Sequence, residues 1–274
     1  PPVGPGINFT LHYNHRSNWV GTTQAFGNVG PGWRFEWLSY VVDNNTTAVP
    51  PYAWTEVVLR GVGTELTNSI SGYTHWKTHT ELVQVDDDPP RYERTLPDGT
   101  TEVYTFPDRT ASLPNRQIFL TELIDPQGNT MRYDYDSSLR MISVTDSIGQ
   151  VTTLDYETSD PLLLTKVTDP FGRYATFTYD AVGRLQSITD VMGMTSRFAY
   201  ADDDFLVSMT TPYGTTTFTN GDTTGSGGVR RVDATDPEGG TERVEFHLTD
   251  TADQDATAPS GEVPAGFSSW NADL

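Results

Sequence analysis

Two pairs of histidines are the residues in this sequence whose type and spacing best suit metal chemistry. His75 and His79 stand four positions apart in HWKTH, a spacing that brings two imidazoles to one zinc ion when the chain is helical. The neighbouring residues indicate a strand instead, along which four residues span about 13 Å, too far for one ion. His12 and His15 fall on opposite faces of another predicted strand. The sequence therefore predicts surface histidines and no metal site.

Acidic clusters and a glycine-rich loop are the other candidates for chemistry. Aspartates cluster at 86–88, 202–204 and 250–255, but none of these stretches has the Asp-x-Asp-x-Asp-Gly pattern with a distant Glu that binds calcium in an EF-hand. The stretch GSGG at 225–228 lacks the spacing of a nucleophile elbow or of a phosphate-binding loop. The chain has no cysteine, which excludes thiol catalysis and disulfides. We therefore expect neither an enzyme nor a cofactor.

The chain is strongly acidic, with a formal net charge of -20 at pH 7 over 274 residues. Nucleic acid is not an expected partner, because phosphate contacts need clustered Lys and Arg. We interpret the acidity as a solubility feature rather than as a cation-binding face. No apolar run reaches the ~18 residues that a membrane-spanning helix needs. The first residues are Pro-Pro without a signal-peptide pattern, so we expect a piece of a longer protein.

The composition favours β-structure. Frequent Thr, together with 13 Tyr and 12 Phe, suits the half-buried surface of a strand. The 24 Gly and 18 Pro are typical of turns between strands. An apolar content of 35% is low for a thick core and favours a sheet with one dry face and one wet face.

A turn signal that closes on glycine recurs every 21 to 25 residues. Its glycines are Gly128, Gly149, Gly172, Gly193, Gly214 and Gly239, and Gly99 fits the same template 29 residues before Gly128. Three positions before each of the six stands an Asp, replaced once by Thr211. Asp at the first place, Pro at the second and Gly at the fourth are what a type I turn prefers. The repeats therefore predict tight turns at fixed intervals.

An alternating strand follows each turn. Five and seven residues after the glycine come Tyr133 and Tyr135, Leu154 and Tyr156, Phe177 and Tyr179, Phe198 and Tyr200, Val244 and Phe246, usually with a polar residue between. This alternation predicts one aromatic face and one wet face. In the fifth unit Phe218 comes one place early, which predicts a deletion or a bulge on the partner strand.

A second strand, such as LTKVTD or LQSITD, leads into each turn, so that each unit reads as strand, tight turn, strand, looser turn. Isolated hairpins are barely stable in water, and the units must stack to share an apolar face. The sequence thus predicts an all-β fold of antiparallel hairpins. The residues that we assign to the repeat structure are Asp125, Gly128, Tyr135, Asp146, Gly149, Tyr156, Asp169, Gly172, Tyr179, Asp190, Gly193 and Tyr200.

The D-P-x-G turn, the strand ends YDYD and FTYD and the lead-in GRLQSITD resemble the RHS, or YD, repeats. Such repeats occur in bacterial RHS proteins, in the shell-forming components of insecticidal Tc toxins and in animal teneurins. The resemblance covers about residues 96–250 and implies a curved strip of sheet that is part of a β-shell. The self-cleaving aspartyl protease motif that many RHS proteins carry after their repeats is not found in this sequence.

We divide the chain into three parts. Residues 1–95 are similar to the β region that precedes the repeats in RHS proteins, and residues 96–250 are the repeats. Residues 251–274 are expected to be an extended tail or linker, with Phe267 and Trp270 as its large side chains.

The resemblance implies a non-catalytic wall that encloses a cargo or toxin polypeptide, with the rest of a parent RHS chain and its cargo as partners. Two alternatives stay open. One is an extracellular protein that assembles head-to-tail with copies of itself into filaments. The other is an adhesive or carbohydrate-binding surface that uses Trp19, Trp54 or Trp76. In each case the expected location is secreted or on the surface of a bacterial cell.

The alternation leads to a first prediction. Tyr179→Ala removes a side chain from the apolar face and should lower the free energy of unfolding by about 2–4 kcal/mol. Thr178→Ala, on the opposite face, should cost far less. Urea melts of the two variants check this, and equal losses would contradict the alternation.

Overall fold

The computed structural model describes residues 3–14, 29–43, 55–61, 63–69, 73–109, 116–157, 163–202, 204–222 and 229–247. The regular structure in these ranges is entirely β-strand. The chain forms two compact units, Pro1–Thr195 and Ser196–Leu274.

The strands of the first unit occur in hairpins along the chain. They are β1 Leu11–Tyr13, β2 Trp33–Phe35, β3 Tyr40–Asp43, β4 Thr55–Val58, β5 Thr64–Thr67, β6 Glu81–Asp87, β7 Pro90–Thr95, β8 Thr101–Pro107, β9 Arg116–Ile124, β10 Thr130–Tyr135, β11 Met141–Thr145, β12 Val151–Tyr156, β13 Leu164–Thr168, β14 Tyr174–Tyr179 and β15 Leu185–Thr189. From β9 to β15 each strand pairs antiparallel with the next. The predicted all-β fold of antiparallel hairpins is confirmed.

Strand β9 is the point where this sheet forks. One edge of β9 pairs with β8. On the other edge its last residues, Glu122 to Ile124, pair with β10, and its first residues, Arg116 to Phe119, pair with β3. Between the two ladders the backbone N–H of Leu120 donates to the carbonyl of Ser39 at 3.0 Å. The front of the chain and the repeats therefore share a sheet, while β1 and β2 form a separate pair.

The second unit continues the hairpin pattern, and its strand β16 begins at the boundary between the units. Its strands are β16 Thr195–Tyr200, β17 Leu206–Thr211, β18 Gly214–Asp222, β19 Val229–Thr235 and β20 Thr241–His247, each antiparallel to the next. Thr211 pairs directly with Gly214, and the ladders on both sides of β18 keep a regular register. The irregularity in the fifth unit is thus a turn one residue shorter than the others, which brings Phe218 forward by one place.

The turns at both ends of the repeat strands share one geometry. In the turn Asp169–Arg173 the N–H of Gly172 donates to the carbonyl of Asp169 at 3.0 Å, and Gly172 has φ +79°. The same bonds form at Asp180–Arg184, and also at Asp136–Arg140, where Leu139 takes the left-handed position at φ +65°. The looser turn predicted between units is therefore wrong at these two places, because Asp at the first position supports a tight turn there as well.

A β-bulge recurs next to the tyrosine at the end of each repeat strand. Tyr179 pairs with Leu185 while Thr178 pairs with Ser187, so that Gln186 is the extra residue. The extra residues of the other repeats are Ile142, Thr165 and Val207. A bulge bends its strand and increases the local twist, so each repeat changes direction at the same place.

The two faces of the repeat strands differ in burial as the alternation predicts. Tyr133, Leu154 and Phe177 are buried, whereas the neighbouring Asp134 and Thr178 are exposed. The pattern fails in the last hairpin, where Val244 is 75% exposed. No described strand follows that hairpin in the chain.

The turn geometry leads to a second prediction. A Cβ on Gly172 would meet no atom within 4 Å, so only the left-handed backbone opposes a side chain there. Gly172→Val should lower the free energy of unfolding by about 1–2 kcal/mol, and Gly172→Asn should cost less because Asn tolerates this conformation. Urea melts with and without EDTA check this. A loss that EDTA reproduces in the unmutated protein would identify the turn as an ion site instead.

Candidate functional site

The aspartates assigned to the repeat turns all serve as acceptors for backbone amides. One carboxylate oxygen of Asp169 accepts the N–H groups of Phe171 and Arg173, each at 2.9 Å. Asp125, Asp146 and Asp190 accept from the residues two and four positions ahead in the same way. These bonds hold the turn in its tight form. None of these carboxylates needs a metal ion to fix its position.

An arginine four residues after the aspartate was missed by the sequence analysis. Arg173 binds the second oxygen of Asp169 at 2.6 Å, and Arg184 and Arg140 bind Asp180 and Asp136 at 2.8 and 2.6 Å. Partial burial raises the pKa of Asp169, but the hydrogen bonds from Arg173 and the turn amides outweigh it, so the pKa lies below its ordinary value. The pattern Asp-x-x-x-Arg could have revealed this pair.

The repeat tyrosines donate hydrogen bonds across the sheet. The hydroxyl groups of Tyr135, Tyr156 and Tyr179 donate to the carbonyls of Leu120, Met141 and Leu164 at 2.7, 2.7 and 2.6 Å. Each of these carbonyls lies two residues beyond the last pair of its hairpin ladder.

The tyrosine thus supplies a donor where two strands diverge and the backbone no longer can. The ring of each of these tyrosines is half-buried. Burial raises the pKa of Tyr135 well above its ordinary value, which keeps the hydroxyl protonated and able to donate. Tyr200 lies beside the equivalent bulge in the second unit.

The start of the chain covers part of the apolar face of the repeat sheet. Residues 3–11, which we name the strap, cross this face, and the ring of Phe9 lies 5.8 Å from Phe177 and 5.1 Å from Trp37. In the turn between β11 and β12, at one end of the strands, Ser147 donates to the carbonyl of Val3.

A second segment from the front of the chain reaches a turn at the opposite end of the strands. There Gly30, with φ +90°, comes so close that a Cβ would lie 2.9 Å from the carbonyl oxygen of Gly183 and 2.9 Å from the backbone nitrogen of Leu185. Only glycine fits at such an approach. The front of the chain therefore packs against turns at both ends of the repeat strands.

A buried charge network, formed by Arg60, Glu65, Arg94 and Glu102, lies in the front of the first unit. Arg94 joins both acids, with distances of 3.2 Å to Glu65 and 2.8 Å to Glu102, and Arg60 binds the other oxygen of Glu102 at 2.8 Å. The side chains of Glu65 and Glu102 are each 2% exposed. The sequence analysis missed this network, although Glu102 stands two places before Tyr104 on the buried face of β8.

Hydroxyl groups complete the hydrogen bonding of the two acids. Thr78 and Thr80 donate to Glu65 at 2.5 and 2.8 Å, and Tyr104 donates to Glu102 at 2.8 Å. Burial raises the pKa of Glu65, but the hydrogen bonds from Thr78 and Arg94 outweigh it and the pKa lies below its ordinary value. The arrangement favours the carboxylate form of Glu65 and stabilises the front of the unit.

The sequence predicted that His75 and His79 are surface residues on a strand. This is wrong in two respects, since His75 is buried and the segment is not a strand. Residues 76–78 form a turn, and His75 is buried with its Nδ1 atom 2.8 Å from the hydroxyl of Thr78. Its side chain packs there because the neighbouring Thr78 and Glu65 are polar. His79 is exposed, and His15 lies outside the described residues.

The remaining candidates for chemistry lie only partly within the described residues. Among the described residues no group of three or more His, Asp or Glu is placed to hold a metal ion, and no helix there is long and apolar enough to cross a membrane. Trp76 is 77% exposed, whereas Trp19 and Trp54 lie outside the described residues, as do GSGG at 225–228 and the tail at 251–274.

In a comparison with known families, the model of the RHS repeat matches residues 162–191 and 179–216. Residues 162–216 therefore carry RHS repeats. The match falls on the strands from β13 to β17 and on the turns that Asp169, Asp180 and Asp190 begin. The comparison with curated proteins found no match.

A comparison with solved structures matches this chain to components of Tc toxins. A TcdB2–TccC3 complex matches with a TM-score of 0.33 and 11% identity over 74% of this chain and 15% of that one. A Tc holotoxin pore of Photorhabdus luminescens matches with a TM-score of 0.31 and 11% identity over 71% of this chain and 13% of that one. This chain thus spans about one seventh of the toxin chains it matches.

The buried charge network leads to a third prediction. Arg94→Met leaves two buried carboxylates short of their shared partner and should lower the free energy of unfolding by about 3–5 kcal/mol. Arg91→Met, which removes a half-exposed partner of Glu93, should cost less than about 1 kcal/mol. Urea melts of both variants check the difference. Similar losses would show that the network adds little to stability.

The lowered pKa of Glu65 leads to a fourth prediction. A carboxylate whose pKa is lower in the folded state than in the unfolded state stabilises the fold above the unfolded value, about 4.3 for Glu. This stabilisation is lost as the pH falls through the folded pKa. Unfolding free energies measured from pH 7 down to pH 3 should therefore fall less steeply below about pH 4.3 in Glu65→Gln than in the unmutated protein. Identical pH slopes in Glu65→Gln and the unmutated protein would refute the lowered pKa of Glu65.

Proposed function

We propose that this RHS chain is a segment of a shell wall that encloses a polypeptide and catalyses no reaction itself. The observation that carries the proposal is the separation of the two sheet faces in successive repeats. Tyr133, Leu154 and Phe177 lie buried on one face. A wall needs such a face toward its contents and a charged face toward water.

Ion pairs on the other face support the same role. Arg132 binds Glu122 at 3.1 Å and Lys166 binds Asp155 at 2.9 Å, each across a strand pair. Exposed pairs of this kind add less than about 1 kcal/mol each. Their value to a wall is a hydrated surface that keeps register between strands.

The fixed hydrogen bonding of the repeats also favours a scaffold over a catalyst. The turn aspartates, the arginines and the tyrosine hydroxyls are all engaged within the sheet, as Asp169, Arg173 and Tyr179 illustrate. The turn aspartate recurs in successive repeats, and several of its turns add the arginine. A scaffold is the role for which such repetition is useful.

The proposal includes the partners and the location. The rest of a parent RHS chain would complete the wall, and the enclosed polypeptide would face the apolar side. A bacterial protein that is secreted or displayed at the cell surface is the setting we propose. Self-assembly of the chain into filaments is the alternative that a head-to-tail contact between copies would produce.

Protease protection tests the proposal and gives a fifth prediction. The reading frame that carries this segment is expressed, and the polypeptide that it encodes after the repeats is followed during digestion with proteinase K. Enclosure predicts that this polypeptide survives while the RHS chain stays folded. Phe177→Asp on the apolar face should abolish protection, whereas Thr178→Asp on the exposed face should keep it. Digestion at the same rate with and without the RHS segment would refute the proposal.

A further inference from the structure

A cleft of about 390 Å³ opens on the apolar face beside the strap. The strap lines one side of it with Ile7 and Phe9, and the repeat strands line the other with Phe177 and Ile188. Asp190 and Val191, at the start of a repeat turn, lie at its rim. Asp169 and Arg173, which pair with each other at 2.6 Å, also line the cleft. The cleft therefore combines an apolar lining with one paired carboxylate and a second carboxylate, that of Asp190.

The carboxylate of Asp190 differs from those of the neighbouring turns. One of its oxygens accepts the N–H groups of Met192 and Met194 at 2.8 and 2.9 Å. In the turns that begin at Asp169 and Asp180 an arginine four places ahead binds the second oxygen. Here Met194 occupies that place, and none of the basic side chains that the structure describes forms an ion pair with Asp190.

The surroundings of Asp190 are apolar and open to solvent. Val191, Met192 and Met194 are 49%, 78% and 42% exposed. Exposed apolar side chains that continue a lined cleft are typical of a binding surface. A cation that reaches Asp190 would meet a carboxylate as Arg173 does at Asp169, with apolar contacts on either side.

The strap shows which kind of ligand this face accepts. It is an extended segment whose alternate residues Ile7 and Phe9 face the sheet and line the cleft. A second extended segment laid beside it would find the same apolar surface, and the charge of Asp190 calls for a basic residue.

We propose that the cleft binds an extended polypeptide segment with apolar side chains at alternate positions and an Arg or Lys that pairs with Asp190. The inference rests on the proposed enclosure of a polypeptide and names the chemistry of the part that contacts this wall. The strongly acidic chain, with a net charge of -20, favours a basic segment at long range as well.

The test uses the full chain and a fluorescein-labelled, amidated peptide, Ile-Arg-Phe-Thr-Leu, which copies strap residues 7–11 with Arg in place of Asn8. Fluorescence anisotropy should show saturable binding that weakens with added salt. Asp190→Asn keeps the amide acceptor of the turn but removes the charge, and it should weaken binding about 5-fold. Met194→Arg should weaken it equally, because the new arginine would pair with Asp190 as Arg173 does with Asp169.

Two controls match these variants. Asp98→Asn removes the same charge from an exposed turn outside the cleft and should leave the affinity unchanged. The peptide with Glu in place of Arg should bind more weakly than the Arg peptide. Thermal melts identify any variant that does not fold, and either Asp190→Asn or Met194→Arg suffices for the comparison.

The inference is overturned if the Arg peptide shows no saturable binding, or if it binds Asp190→Asn and the unmutated chain equally. These results are independent of the protease experiment. Protection without peptide binding would leave the enclosure in place and remove the cleft as a contact. Peptide binding without protection would leave the cleft as a peptide site and remove the enclosure.

Discussion

The backbone carbonyl that loses its partner where two strands diverge is the constraint on which the repeat depends. Hairpin ladders in this sheet are short, and beyond them the strands separate to pair with their other neighbours. A buried carbonyl without a donor costs about 1–3 kcal/mol, so a chain that forks at every repeat needs a donor at every fork. The hydroxyl groups of Tyr179 and its counterparts provide this donor, and a bulge lies beside each of these tyrosines.

A buried charge network links strands in the front of the chain. Arg94 on β7 donates hydrogen bonds to Glu65 on β5 and to Glu102 on β8, and so links three strands. A buried network of this kind is costly to assemble and costly to disrupt. It favours one arrangement of the strands over others because a shifted register would leave a buried charge alone.

Local rules were sufficient to predict the turns, because Asp169 and Gly172 act within five residues of each other. The alternation of Phe177 and Thr178 likewise predicted the faces. The donor role of Tyr179 could not be predicted, because the carbonyl it meets is defined only once Gln186 bulges and the strands diverge. Arg94 was missed because a charged residue at a buried position contradicts the alternation. The contact between Phe9 and Phe177 could not be predicted from local sequence patterns, because the two residues are far apart in the sequence.

The strap also has a consequence for the order in which the molecule is made. Phe9 leaves the ribosome about 170 residues before Phe177, and at 5–20 residues per second this separation lasts roughly 10–30 s. During that interval the aromatic rings of the first residues have no sheet to cover. A nascent chain with such a segment needs a holding chaperone, or a provisional contact within the front strands, until the repeats emerge. The strap is therefore also a segment that is exposed to aggregation during synthesis.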